Sequence, residues 1–227
     1  MHTVIPYAAP AGPHCQAAIA QLVLPHLAQL LSLLNPTPPL LGSAESLTPV
    51  CERVHAKSLG LQGADGLVPW AALDAEHLGL TKIHGSSGWA WITPCHWRVN
   101  ADHVAMDDPH KLALSAHDSD ALRAAMQPYF AEDGITLHPL NHTTWLAQGA
   151  VLADLPTASL ARTRGARVDG WMPRQPQAQP LRRLQNEMQM LLYTHPVNDA
   201  RKAGFLAPVD SFWVSGTGTL PATPPPA

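Results

Sequence analysis

The alternation of apolar and polar positions is clearest over residues 181–192, where Leu181, Leu184, Met188, Leu191 and Leu192 recur at helical spacing. Arg182, Arg183, Gln185, Asn186 and Glu187 fall largely on the other faces, so the pattern predicts an amphipathic helix. Pro196 predicts its end, because proline disfavours the helical conformation in the residue before it. A polar loop through His195 and Asn198 then passes Arg201 and Gly204 to reach Pro208. Residues 209–215 combine β-branched and aromatic side chains and predict a buried strand with Trp213 near its middle. The strand opens into a glycine turn, SGTG at 215–218, where the backbone can bend tightly and approach a ligand.

Upstream, residues 3–7 read as a first strand, and a helix is expected from about His14. A second helix starts at Pro25, where the missing N–H of a first-turn proline costs nothing. The apolar run 17–34 carries no charge, but Gln21, His26, Gln29 and Pro25 interrupt it and basic flanks are lacking. Two short buried helices are therefore expected rather than a membrane span. A third helix is expected over 43–59 with Ser46 as its cap, and a short one around 71–78. Strands follow at 89–93 and 97–106, the latter turning at 100–102. A helix capped by Asp118 runs through Phe130, and a strand pair spans 135–138 and 143–147. Residues 155–180, rich in proline, arginine and glycine, read as a surface loop. This order predicts an α/β fold: a partial α/β layer over 1–88, a smaller α+β lobe over 89–218 and a proline-rich tail over 219–227.

Composition narrows the picture. A chain of 227 residues can bury a full core, and a formal net charge of −3 with 14% charged residues gives no footprint for nucleic acid. The cysteines, Cys15, Cys51 and Cys95, lie far apart with no CxxC pair, which suits a reduced, cytoplasmic protein. No secretory signal is expected at the N-terminus. The 13 histidines form no metal-ligand spacing: Asp74 and His77, and Asp107 and His110, stand as isolated pairs, and His96 and His103 sit on opposite arms of a predicted hairpin. Arg162, Arg164, Arg167, Arg174, Arg182, Arg183 and Arg201 could meet around an anion if 155–180 folds back over the glycine turn. The ordinary reading of such a run is a solvated surface, diluted here by Asp154 and Asp169.

Taken in order, the segment HPVNDARKAGFLAPVDSFWVSGTG resembles the HPxNxxR…G…PxNxxWxxGxG stretch of archaeal-type, cofactor-independent phosphoglycerate mutases. Those are metal-dependent members of the alkaline phosphatase superfamily. Over nearly the whole chain, LPTASLARTRG, QNEMQMLLYTHPVND and SFWVSGTG carry a closer resemblance to the RpfE-type bacterial regulatory proteins. The resemblance implies that 1–88 is part of an alkaline-phosphatase-like layer and that the following lobe is of the kind these mutases insert into it.

The superfamily's chemistry uses two divalent metals, Mn or Mg, to stabilise the attacking and leaving oxygens of phosphoryl transfer. The position that should carry the first ligand reads YAAP at 7–10, and no aspartate precedes Asp65. The remaining ligands normally follow the inserted lobe, so the catalytic half is expected to be lost or to lie on a longer chain. No cofactor is expected in the chain as written. The leading expectation is a non-catalytic, regulatory or ligand-sensing protein that binds a small phosphorylated or carboxylated metabolite. The expected site lies between the loop and the glycine turn: Arg201 supplies charge, His195 and Asn198 orient the ligand, and Ser215, Gly216 and Gly218 offer the turn. The rival is a working mutase or phosphatase completed elsewhere. A third reading is a protein–protein adaptor using some of the 7 tryptophans.

Overall fold

The strand Trp89–Cys95 (β1) is the central element, paired antiparallel on both sides. The structure, a computed structural model, describes residues 5, 12–36, 38, 40–81 and 87–220. Its helices are Pro13–Ala20 (α1), Pro25–Ser32 (α2), Val50–Ser58 (α3), Trp70–His77 (α4), Ala116–Glu132 (α5), the single turn Leu160–Thr163 (α6), Gln179–Tyr193 (α7) and Pro196–Ala203 (α8). The strands Thr136–Pro139 (β4), Trp145–Gln148 (β5) and Ser211–Gly218 (β6) join β1 in a sheet of order β4-β5-β1-β6. Trp97–Val99 (β2) and Val104–Met106 (β3) form a separate hairpin.

Side chains alternate across this sheet, and each face has its own cover. Ala90 and Ile92 of β1, Phe212 and Val214 of β6, and Trp145 of β5 meet Leu122, Met126 and Phe130 of α5 and Leu184, Met188 and Leu192 of α7. The spacing along 181–192 thus buries the stripe it predicts. On the other face Trp89 packs with Leu146 on Ala71, Ala72 and Ala75 of α4, while Cys95 and Trp213 pack with Met106, Ala158 and Val168.

The mixed α/β content is as expected, but every pairing in the sheet is antiparallel. The described part of 1–88 contributes helices rather than a strand, and it packs on the sheet of the following lobe. The expected first strand falls outside the described residues except for Ile5, which is exposed and in no regular element. The helices at 13–20 and 25–32 form where expected, with prolines in their first turns, but neither has a buried residue. Their apolar content predicts burial, yet the core forms between the sheet and α4, α5 and α7 without them. Among the described residues, no helix is long and apolar enough to cross a membrane.

Other boundaries move for local reasons. The third helix begins at Val50 rather than 43, because the Leu47 and Thr48 N–H groups donate to the Asp65 carboxylate at 2.8 Å each instead of entering a helix. Ser115, not Asp118, caps α5: its hydroxyl accepts from the Asp118 N–H at 3.0 Å. The expected loop at 195–198 is the start of α8. Pro196 occupies the first helical turn and His195 is the N-cap, its Nδ1 accepting from the Val197 N–H at 3.3 Å. Asp199 in the first turn and Arg201 and Lys202 in the last match the helix dipole. The glycine turn is likewise strand: β6 runs through Gly218, with a register shift against β1 between Trp89 and Trp91.

Candidate functional site

On the face of the sheet away from α5 and α7 lies a cleft of about 340 Å³. Trp91 and Thr93 of β1 and Ser215 and Gly216 of β6 form its floor. Trp70 and Asp74, four residues apart on α4 and so on one helical face, form one wall. Glu52 of α3 and Thr157, Ser159 and Leu160 form another.

The wall of α4 is tied to the floor through Trp91, whose indole Nε1–H donates to Asp74 Oδ2 at 2.8 Å. Gly216 makes room for that indole. Its φ is +64°, and a Cβ there would lie 2.8 Å from Trp91 Cε3 and 3.3 Å from Trp70 Cβ. Gly218 does the same for the entry to α4, since its Cβ would meet the Leu67 carbonyl and Pro69 at 3.2 Å. The glycines of SGTG therefore admit aromatic rings and a neighbouring backbone.

The segment 155–159 does fold over β6, as one expectation required. The Thr217 hydroxyl donates to the Leu155 carbonyl at 2.7 Å and lies 2.9 Å from the Thr157 hydroxyl. The arginines of that region go elsewhere. Arg162 donates to the Ser46 hydroxyl at 2.9 Å and lies over Trp171, Arg174 and Arg182 reach backbone carbonyls, and Arg164 is exposed. Arg183 forks onto Asp133 with two 2.8 Å bonds, and Arg167 lies near Asp102 and Asp169. None of them lines the cleft, and neither does any lysine or histidine among the described residues.

The expected site residues separate into two groups. Ser215 and Gly216 line the cleft; His195, Asn198, Arg201 and Gly218 do not. Asn198 is 1% exposed and is used internally. Its amide donates to the Leu192 carbonyl at 2.8 Å and the Val209 carbonyl at 2.6 Å, and its oxygen accepts from the Val209 N–H at 2.8 Å. Arg201 is 3% exposed and donates to the Ala207 carbonyl at 2.9 Å and to the Leu112 carbonyl, with Asp118 at 3.9 Å. Burial lowers the pKa of its guanidinium, and Asp118 opposes that shift. These two side chains hold the end of α7, α8 and the entry to β6 together.

Glu52 is the perturbed acid of the cleft. Burial raises its pKa, against a hydrogen bond from the Ser159 hydroxyl and the positive field of Arg162. Sequence reasoning singled out Asp74 only for its spacing to His77 and did not place Glu52, Trp70 or Trp91 in a site. The usable signal was Trp70 and Asp74 at one helical turn's separation.

Among the described residues, no group of three His, Cys, Asp or Glu side chains converges as a metal site would need. His96 is bound to Asp210 at 2.7 Å and His103 to Asp102 at 2.6 Å, so the two histidines do not face each other.

No protein-family model matches the chain, and a search of curated proteins finds no match. Among solved structures, the arrangement is similar to that of a cofactor-independent phosphoglycerate mutase. That structure is the enzyme from Thermoplasma acidophilum DSM 1728, with 20% identity and a TM-score of 0.48 over 74% of this chain and 47% of that chain. The chain thus spans about half the length of that mutase. No residue role is transferred on this likeness.

Proposed function

We propose that the chain is a non-catalytic, ligand-binding protein of phosphoglycerate-mutase-like descent, acting in regulation as the RpfE-type resemblance implies. The observation that supports it best is the cleft beside Trp91. It is concave, largely apolar and floored by the strand that carries SGTG, with a few converging polar groups, which is the usual make-up of a small-molecule site. In this reading, residues 1–88 are the remnant of the larger layer, 89–218 the inserted-type lobe and 219–227 a tail. The protein works in the cytoplasm, where its free cysteines stay reduced. A protein partner reads the bound state.

The test has two arms. Purified protein should not interconvert phosphoglycerates, with or without Mn²⁺ or Mg²⁺; metal-dependent turnover that follows the purified protein would support the rival, a mutase or phosphatase. In the second arm, a small-molecule fragment set is screened by NMR. Hits should shift the indole N–H resonances of Trp70 and Trp91 first, and a set that leaves both unmoved would sink the ligand-binding reading.

A further inference from the structure

The cleft has an unbalanced charge. Glu52 and Asp74 line it, and no cationic side chain among the described residues does so. Arg162 acts on Glu52 from outside the cleft, so part of that charge is offset. Asp74 has no ion pair among the described residues; its recorded partner is the Trp91 indole, which occupies Oδ2 and leaves Oδ1 open. Two carboxylates alone would not define a site. Here they stand beside two tryptophans that line the same cleft: the Trp91 ring lies against Gly216, and Trp70 is held next to it through its Cβ.

Two further groups point to an occupant. Thr93 and Ser215 are 4% and 3% exposed and line the cleft floor. Neither hydroxyl has a hydrogen-bond partner among the described residues. Their side chains are otherwise enclosed, so each hydroxyl has its free hydrogen-bonding capacity turned to the cleft, where a bound molecule can take the place of water.

We propose that this cleft binds a small organic cation, an alkylammonium or quaternary ammonium group lying against Trp70 and Trp91 and neutralised by Asp74 and Glu52, with a hydroxyl or similar polar tail meeting Thr93 and Ser215. Indole faces attract such cations through their quadrupole, most strongly where water is excluded. The same walls disfavour a phosphate or carboxylate, because two anionic side chains would face it with no cation among the described residues to pair it. The proposal rests on the ligand-binding reading above and specifies its chemistry.

Choline chloride is the probe, with 3,3-dimethylbutan-1-ol as its uncharged isostere and 3-phosphoglycerate and glucose as competitors of other classes. The full chain is titrated while the Trp70 and Trp91 indole N–H resonances are followed. Choline should shift both in a saturable way, at the millimolar affinity of a simple cation site. The uncharged isostere should bind at least about tenfold more weakly. Asp74→Asn, which keeps an acceptor for the Trp91 N–H, should weaken choline about tenfold without moving the melting temperature. Equal binding of the isostere, or tighter binding of glucose or 3-phosphoglycerate, would overturn the cation while leaving ligand binding at the cleft intact. No response to choline would overturn it as well. The fragment screen then decides separately whether the cleft binds anything.

Discussion

Asn198 shows how a motif residue can be structural. Each of its side-chain polar atoms meets backbone on segments that no regular pairing satisfies: the last turn of α7 and the residue that leads into β6. Asn198→Ala would leave the carbonyl and the N–H of Val209 buried without partners, while the Leu192 carbonyl keeps the His195 N–H at 3.2 Å. It should cost about 2–3 kcal/mol, the scale of stranded buried polar groups, read as a fall in the urea midpoint. A neighbour supplies the control: Lys202, exposed on the same helix, should tolerate alanine within about 0.5 kcal/mol. If Asn198→Ala melts like the parent, the internal role assigned to it is wrong. Arginine at 201 invites the same misreading from sequence. A guanidinium three residues after an asparagine looks like a ligand clamp, and only the positions of the Ala207 and Leu112 carbonyls show that its Nε and Nη2 donors are engaged within the fold.

At the scale of elements, the fit between β6 and α4 depends on a residue without a side chain. Gly216→Ala places a methyl group against the Trp91 ring at a positive φ. It should cost more than about 1 kcal/mol and shift the Trp91 indole resonance even without ligand. An unmoved indole would show that the ring is not seated there. The bend after β1 has a different sensitivity. The hydrogen bond that His96 donates to the Asp210 carboxylate raises the pKa of His96; burial and Arg98 oppose this, while Asp107 adds to it. The raised pKa means that this pair contributes fully below about pH 6.5 and progressively less as pH rises through the folded-state value. Stability should therefore fall as pH rises from about 6.5 through the folded-state value, and Asp210→Asn should flatten that decline. An unchanged slope in the variant would assign it to other groups. Periodicity made the regular elements legible: the stripe of α7, the strand around Trp213 and the hairpin after Trp97 lie where their patterns put them. What it did not reveal was which side of Pro196 is helical, since proline both ends one helix and begins another. The cleft was less legible still, because Glu52, Asp74, Trp91 and Ser215 come together only through tertiary packing.

For the molecule as a whole, the described residues divide into a packed body and two short helices, α1 and α2, that bury no residue. Because α1 and α2 bury nothing, removing residues 1–40 should leave the urea transition as steep as in the parent and its midpoint within about 0.5 kcal/mol. A broader or earlier transition would show that this segment contributes to the core. The body itself is closed by β6. The Thr217 hydroxyl lies 3.0 Å from the Gly66 carbonyl across 151 positions of sequence, and Trp213 donates to the Ala158 carbonyl at 2.9 Å. This has a consequence for synthesis. Chains emerge from the ribosome N-terminus first, and contacts between distant residues must wait for both ends. The central strand is exposed long before its last partner is made, so α4 and the indoles of β1 have no β6 to settle on until the final stretch appears. During that interval the nascent chain presents unpaired strand edge and uncovered tryptophan, which makes it a natural client for a chaperone.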